Sequence, residues 1–263
     1  MSGYLLNAPS GPLEGRPLGF VHRGGAGDDE NTLASFLRAH EAGYAYLETD
    51  VRLSADGVLY ALHDETLARV TGDPRPVAQV GSAELDTLRV LGSFGEPPAR
   101  VETLLRELPG ARLNVDLKVK GAGPEMARLA EEAGALERVL VASFVGRHRR
   151  AAQRRAPRLA ASAGPGLIAA SVLLGPLAAP FLSVAVRRGV VAFQVPTHLG
   201  PVPVVRPGWI RRLHAAGLQV HVWVVNDRAR MEALLDMGVD GIMSDDAGLL
   251  ASVLTERGAW PQR

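Results

Sequence analysis

Short apolar runs and helix-patterned stretches alternate along almost the whole chain, and this rhythm limits the fold more than any other feature. Strand-like runs fall near residues 19–22, 45–52, 112–118, 139–143, 159–163, 190–195, 219–225 and 241–244. Helical spacing of apolar residues recurs near 33–42, 101–107, 124–132, 147–155, 207–216, 228–235 and 248–256. Alternation of this kind builds a parallel sheet whose strands are joined by crossover helices. Eight strands in that order predict an α/β fold, the (β/α)8 TIM barrel, and 263 residues suit a barrel that takes about 250. One domain over 1–263 is expected, with its core at about 18–250 and a short insertion, 65–110, after the second strand. A barrel of this type carries its chemistry at the C-terminal ends of its strands.

The first run, Leu18-Gly19-Phe20-Val21, ends in His22-Arg23-Gly24-Gly25. Arginine offers an anionic oxygen a planar fork of donors, and histidine exchanges a proton near neutral pH. The glycines let the backbone turn sharply and a ligand come close. In Tyr46-Leu47-Glu48-Thr49-Asp50-Val51-Arg52, strand alternation puts Glu48 and Asp50 on one face. Ser54-Ala55-Asp56-Gly57 then signals a hairpin, and Val58-Leu59-Tyr60-Ala61-Leu62-His63-Asp64 returns along it. With Asp56 and Gly57 as the turn, Asp50 is expected opposite His63. In Leu113-Asn114-Val115-Asp116-Leu117-Lys118 one face is wholly polar, which a buried strand cannot carry cheaply without partners. Glu48, Asp50 and Asp116 are hard oxygen ligands that favour one divalent cation, Mg2+ or Ca2+ with Mn2+ a third option, over zinc. Three carboxylates, two histidines, an arginine and a lysine describe metal-assisted phosphoryl chemistry.

The ordered set His22-Arg23-Gly24, Glu30-Asn31-Thr32, Glu48-x-Asp50, His63-Asp64 and Asp116-x-Lys118 resembles the glycerophosphodiester phosphodiesterase family. The resemblance extends from about Leu18 to Leu250 and includes Val222-Trp223-Val224-Val225-Asn226 and Gly238-Val239-Asp240-Gly241-Ile242-Met243-Ser244-Asp245. It implies hydrolysis of small-molecule glycerophosphodiesters to glycerol 3-phosphate and an alcohol. It also implies that His22 and His63 are the general acid–base pair, in an order the sequence leaves open. The attacking group is either water or the neighbouring glycerol hydroxyl, through a cyclic phosphate. Arg23 and Lys118 would bind phosphate, Trp223 would touch substrate or fill the barrel mouth, and Glu48, Asp50 and Asp116 would hold the cation. Glu30 and Asn31 would brace the loop, with ligation of the cation the alternative role for Glu30. The chain departs from the family pattern at Asp29, where proline is usual, and at Asp116, where glutamate is usual. Val224, Ser244, Ala247 and Ala99-Arg100-Val101 also differ, and none removes a catalytic group.

Net charge is +1, with 29 basic and 28 acidic residues, so no global field recruits nucleic acid, and none is expected as a partner. Cysteine is absent, which excludes disulfides and thiolate metal sites. Residues 1–9 lack the basic region and apolar core of a signal peptide, so cytoplasmic residence is expected. From Leu159 through Val186 no residue is charged, yet its glycines and prolines argue against a spanning helix. The plainer expectation is a buried strand and an apolar loop-helix; the sharper one is an apolar wall that makes peripheral lipid contact. A lysophospholipase D with the same machinery and a catalytically silent phosphate-binding barrel are the rivals. His40, His148, His198, His214 and His221 are expected to be structural or surface residues. Arg147, Arg149, Arg150, Arg154 and Arg155 read as a solvated helix face, and Asp245 as a helix cap. Oligomeric state is not encoded in these patterns.

Overall fold

A computed structural model describes residues 3–25, 27, 29–93 and 95–263 of the chain. The strands, in chain order, are β1 Leu18–His22, β2 Tyr46–Leu53, β3 Leu59–Ala61, β4 Arg112–Leu117, β5 Val139–Ala142, β6 Ala160–Ser162, β7 Val190–Val195, β8 His198–Leu199, β9 Val202–Pro203, β10 Gln219–Val222 and β11 Gly241–Ser244. The helices are α1 Leu33–Glu41, α2 Ala68–Thr71, α3 Ser82–Leu85, α4 Val101–Glu107, α5 Ala122–Glu132, α6 Gly146–Arg155, α7 Pro165–Leu173, α8 Ala179–Arg187, α9 Pro207–Ala215, α10 Arg228–Asp236 and α11 Ala247–Glu256. Eight parallel strands run in the order β1-β11-β10-β7-β6-β5-β4-β2, and pairing of β1 with β2 closes the ring. The barrel expected from the sequence is the barrel found.

Each barrel strand has two differently buried faces. Outward residues such as Val21, Leu47, Val51, Leu113, Val115, Phe193, Val220 and Ile242 pack against the helices in the main core. Inward residues Phe20, Tyr46, Leu140, Ala160 and Met243 fill the lower barrel, where Tyr4 and Leu13 of the N-terminal segment join them. Each large apolar side chain buried this way contributes roughly 1.5–3 kcal/mol. Tyr46 and Arg112 begin their strands and both bond the Tyr4 carbonyl, at 2.7 and 3.0 Å. The end of the barrel from which the strands start is thereby filled, and the opposite end is left for a cavity.

Two local expectations change. The hairpin pairs Val51 with Ala61, Arg52 with Tyr60 and Leu53 with Leu59. Asp50 therefore faces Leu62, whose N–H donates to its carbonyl at 2.9 Å, and not His63. The cause is a three-residue loop, Ala55 to Gly57, closed by Ser54 N–H donating to the Val58 carbonyl at 2.9 Å. Gly57 takes φ 86°, the left-handed position such loops require, so the register slips by one. The uncharged run 159–186 becomes β6, two helices, α7 and α8, and a 3-10 turn, Gly175–Ala178, between them. Among the described residues no helix is long and apolar enough to cross a membrane. The insertion packs Leu67, Val70, Val77, Val80 and Leu85 with Tyr60 and Leu62 of the hairpin's return segment in a satellite cluster.

Candidate active site

Parallel register brings distant residues to one level. His22 aligns with Glu48 and Glu48 with Asn114; two residues further along, Asp50 aligns with Asp116. All five side chains face the barrel interior, because their neighbours Val21, Leu47, Thr49, Val51, Val115 and Leu117 occupy the outward positions. A cavity of about 280 Å³ opens at this end, lined by His22, Arg23, Glu48, Asp50, His63, Asn114, Asp116, Lys118 and Trp223 among others. All eight residues expected in the acid–base, phosphate, substrate and cation roles are on its wall, whereas Glu30, the alternative ligand, is not.

The anionic side of this wall is buried. Lys118 Nζ bridges Asp50 Oδ1 and Asp116 Oδ2, 2.7 Å from each. Burial opposes its charge, but the two carboxylates outweigh that and hold its pKa above the usual lysine value. Burial, with Asp50 and Asp116 close by, pushes Glu48 well above the usual carboxylate range, and burial also raises Asp116. Arg23 Nε lies 3.1 Å from Asp50 Oδ2 without the alignment of a hydrogen bond. Glu48 Oε2, Asp50 Oδ2 and Asp116 Oδ1 are buried with no hydrogen-bond partner. Three orphaned carboxylate oxygens beside one lysine are what a hard divalent cation would satisfy. His22, Glu48 and Asp50 each offer a ligand atom within 4.8 Å of the others, a group that has His22 where the sequence reading had Asp116.

Both histidines are anchored through Nδ1. His22 Nδ1 is 2.6 Å from Asp245 Oδ1, and His63 Nδ1 is 2.7 Å from Asp64 Oδ1. A carboxylate only accepts, so each Nδ1 carries the hydrogen and each Nε2 is the free basic atom. His22 Nε2 stands 3.7 Å from Glu48 Oε2. The hydrogen bond from His22, then that from Asn226, keeps Asp245 below the usual carboxylate range against the effect of burial. For Asp64 burial acts upward and is overcome by hydrogen bonds from His63 and Arg69. Arg69 also reaches Glu30 at 2.7 and 3.0 Å, tying the loop after β1 to the residues after β3.

That loop is held in an unusual conformation. Arg23 and Asn31 have φ of 52° and 60°, a region that costs L-residues energy and that persists where surroundings dictate it. Arg23 N–H donates to the Glu48 carbonyl at 3.0 Å, Asn31 N–H to the Arg23 carbonyl at 2.8 Å, and Thr49 Oγ1 to Asn31 Oδ1 at 2.8 Å. Gly24, at φ 84°, has no room for a side chain: a Cβ would sit 2.2 Å from Ser35 Oγ.

Asp245 corrects the sequence reading. Asp246 caps α11, accepting from Leu249 N–H at 2.8 Å, while Asp245 turns to His22. Alternation after β11 cannot distinguish two adjacent aspartates, so the signal was ambiguous by one residue. Gln194 was also missed: it lines the cavity with its Nε2 buried and unpartnered, like Asn114 Oδ1. A glutamine inside the apolar run Val190–Val195 was the available clue. Trp223 stacks edge-on with Phe144, ring centroids 6.0 Å apart, at the cavity wall. Of the other histidines, His148 and His221 are buried, His40 and His214 bond Tyr44 and Asp240, and His198 lies on the surface, as expected. Arg149 departs from the solvated-face reading, because its Nε is buried.

Sequence and structure comparisons show what the chain as a whole is similar to. A Mycobacterium tuberculosis protein named "Probable glycerophosphodiester phosphodiesterase 2" is 39% identical over 231 residues, covering 88% of this chain and 87% of that protein. A crystal structure of glycerophosphodiester phosphodiesterase from Agrobacterium tumefaciens superposes with TM-score 0.73 at 29% identity, covering 90% of this chain and 99% of the other. An Oleispira antarctica phosphodiesterase, whose structure is in complex with the product sn-glycerol-3-phosphate, shares the fold with TM-score 0.72 at 23% identity, covering 91% and 97%. The sequence model of the glycerophosphoryl diester phosphodiesterase family matches residues 22–249, and the chain belongs to that family of phosphoric diester hydrolases.

Proposed function

We propose that the protein hydrolyses glycerophosphodiesters to glycerol 3-phosphate and an alcohol, with His22 and His63 as its proton-transfer pair. One observation carries the reading. Two imidazoles on the wall of one cavity each have Nδ1 anchored by a carboxylate, with three orphaned carboxylate oxygens on the same wall. Family membership and the product complex of the Oleispira antarctica phosphodiesterase support the substrate class.

Glu48, Asp50 and Asp116 are the residues that would hold a divalent cation, which supplies Lewis acidity to phosphate oxygens. Arg23 lines the cavity on the side of Asp50 and Glu30, and its guanidinium is placed to pair with a phosphate oxygen. Lys118 neutralises Asp50 and Asp116 and so lowers the cost of their burial. His22, with its proton fixed on Nδ1, takes a proton at Nε2 from the attacking water, or from the neighbouring glycerol hydroxyl where a cyclic phosphate forms that water then opens. His63, once protonated at Nε2, gives that proton to the departing alcohol oxygen.

The test is release of glycerol 3-phosphate from glycerophosphocholine by the purified protein, with magnesium, calcium or chelator. Loss of activity in chelator and in both His22→Ala and His63→Ala is expected; activity surviving both substitutions would reject the pair. The close group of His22, Glu48 and Asp50 favours a second reading in which His22 is a cation ligand. Under that reading His22→Ala weakens cation binding measured calorimetrically without substrate, whereas as a pure base it leaves binding unchanged. Lysophosphatidylcholine in the same assay separates a lysophospholipase D from an enzyme for water-soluble diesters.

A further inference from the structure

We propose that the face formed by α7, the turn after it and α8 docks on the surface of an anionic phospholipid bilayer. The inference rests on this surface alone and stands or falls separately from the hydrolase reading. Its first support is exposed apolar area. Leu173 is 81% exposed, Leu177 76% and Phe181 54%, with Leu174 and Val184 also exposed. Leu177, Phe181 and Val184 are spaced four and three apart, so they share one side of α8 and the turn before it. No charged residue interrupts them from Leu159 through Val186. A solvent-facing stripe this continuous is what interaction surfaces carry, whereas scattered single apolar residues are ordinary.

The second support is charge, hidden by the near-zero total. Residues 138–226 contain twelve arginines and no aspartate or glutamate. Those residues form one contiguous sector, because β5, β6, β7 and β10 are neighbours in the barrel and α6 to α9 cover them. Among the described residues, only Arg155 and Arg158 of the twelve reach a carboxylate, on Glu131 and Glu137 outside the run. The apolar stripe lies in the middle of this sector, with Arg147 and Arg150 on the exposed side of α6 before it and Arg187 and Arg188 after it. A second copy of the chain would bring like charge against like. An anionic bilayer supplies both the negative field and an apolar interior, the two signals that together give stable peripheral attachment.

The helix that carries Leu173 also reaches the cavity. Pro165 and Ile168 in the first turns of α7 line the cavity, and Phe144, 65% exposed, stands on the same wall. From Ile168 to Leu173 the helix advances only about 8 Å. Docking would set the cavity mouth at the lipid–water boundary.

Flotation of the full chain with vesicles tests this. Binding to phosphatidylglycerol–phosphatidylcholine vesicles, weakened by salt and absent with phosphatidylcholine alone, is expected. Leu177→Asp with Phe181→Asp should reduce binding at least tenfold, as should Arg147→Glu with Arg150→Glu, while hydrolysis of glycerophosphocholine stays unchanged. That activity, together with a far-UV circular dichroism spectrum and Tm unchanged from the wild type, shows that the variants are folded. Wild-type protein that fails to float with anionic vesicles would overturn the proposal, as would undiminished binding of the double aspartate variant. A wild-type dimer that the double aspartate substitution turns into a monomer, without vesicle binding, would assign the stripe to a second copy.

Discussion

Replacing Asp245 by asparagine should harm the enzyme more than replacing it by alanine, against the usual order of severity. The reason is the fixed orientation of Asn226. Its Oδ1 accepts from Ser244 Oγ at 2.9 Å and from the Asp245 N–H at 3.0 Å, so its Nδ2 must be the group donating to Asp245 Oδ2 at 2.8 Å. In Asp245→Asn the atom facing Asn226 must therefore be the amide oxygen. The amide NH2 is then left to face His22 Nδ1 across the 2.6 Å contact. A donor there forces His22 to carry its hydrogen on Nε2, the atom that faces the cavity group, and removes both its basicity and its capacity to bind a cation. With His22 as the proposed base, general-base catalysis is worth about 10²–10⁴ in rate, equivalent to roughly 3–5 kcal/mol in the barrier. Asp245→Asn should forfeit most of that. Asp245→Ala leaves both tautomers accessible and should lose about ten- to a hundredfold, mainly through imprecise positioning. Initial rates of glycerol 3-phosphate release at saturating diester measure both, and NMR of the imidazole nitrogens reads the tautomer directly. An asparagine variant as active as the alanine variant, or more so, would refute the argument.

Three further outcomes follow from the same geometry. Lys118→Met leaves Asp50 and Asp116 without their shared cation, and breaking a buried pair costs about 3–5 kcal/mol; urea unfolding should show that loss in chelator and partial recovery with calcium. Burial raises the pKa values of Glu48 and Asp116, so their contribution to stability is full below the unfolded carboxylate pKa and is lost as pH rises through the folded values. A divalent cation that pairs the ionised forms should therefore raise Tm more at pH 8 than at pH 5, and thermal melts with and without magnesium would show an equal or reversed increment if the carboxylates do not face the ion. Gly24→Ala meets a positive φ and a 2.2 Å clash with Ser35 Oγ, so unfolding free energy should fall by about 2–4 kcal/mol in urea titrations.

The barrel was legible because its signal is repeated. Eight apolar runs at strand length, seven of them followed by helical spacing, agree with one another, and an error in one run does not change the architecture. The run 159–186 was harder, since apolar residues on every side remove the contrast that distinguishes a helix face. There Leu173, Leu177 and Phe181 face water, an outcome that hydropathy cannot signal. The turn residues named the hairpin correctly but not its length: Asp56-Gly57 is compatible with two- and three-residue loops, and Ser54 decided for the longer one through its bond with Val58.

The site shows why a register error need not misplace chemistry. Glu48, Asp50, Asn114 and Asp116 converge through parallel pairing of β2 with β4, which is independent of the hairpin. His63 lies two residues beyond β3, where strand alternation no longer dictates direction. Its place on the cavity wall is set instead by Asp64, which Arg69 joins to Glu30 in the loop after β1. The residues that orient the two imidazoles, Asp245 and Asp64, thus come from segments with no strand or helix period of their own. Periodicity finds side chains that an element aims, and it is silent about side chains aimed by a hydrogen bond. That is the physical reason the carboxylates and His22 could be read from strand patterns, while His63 was found through the family resemblance and the partner that holds His22 was missed.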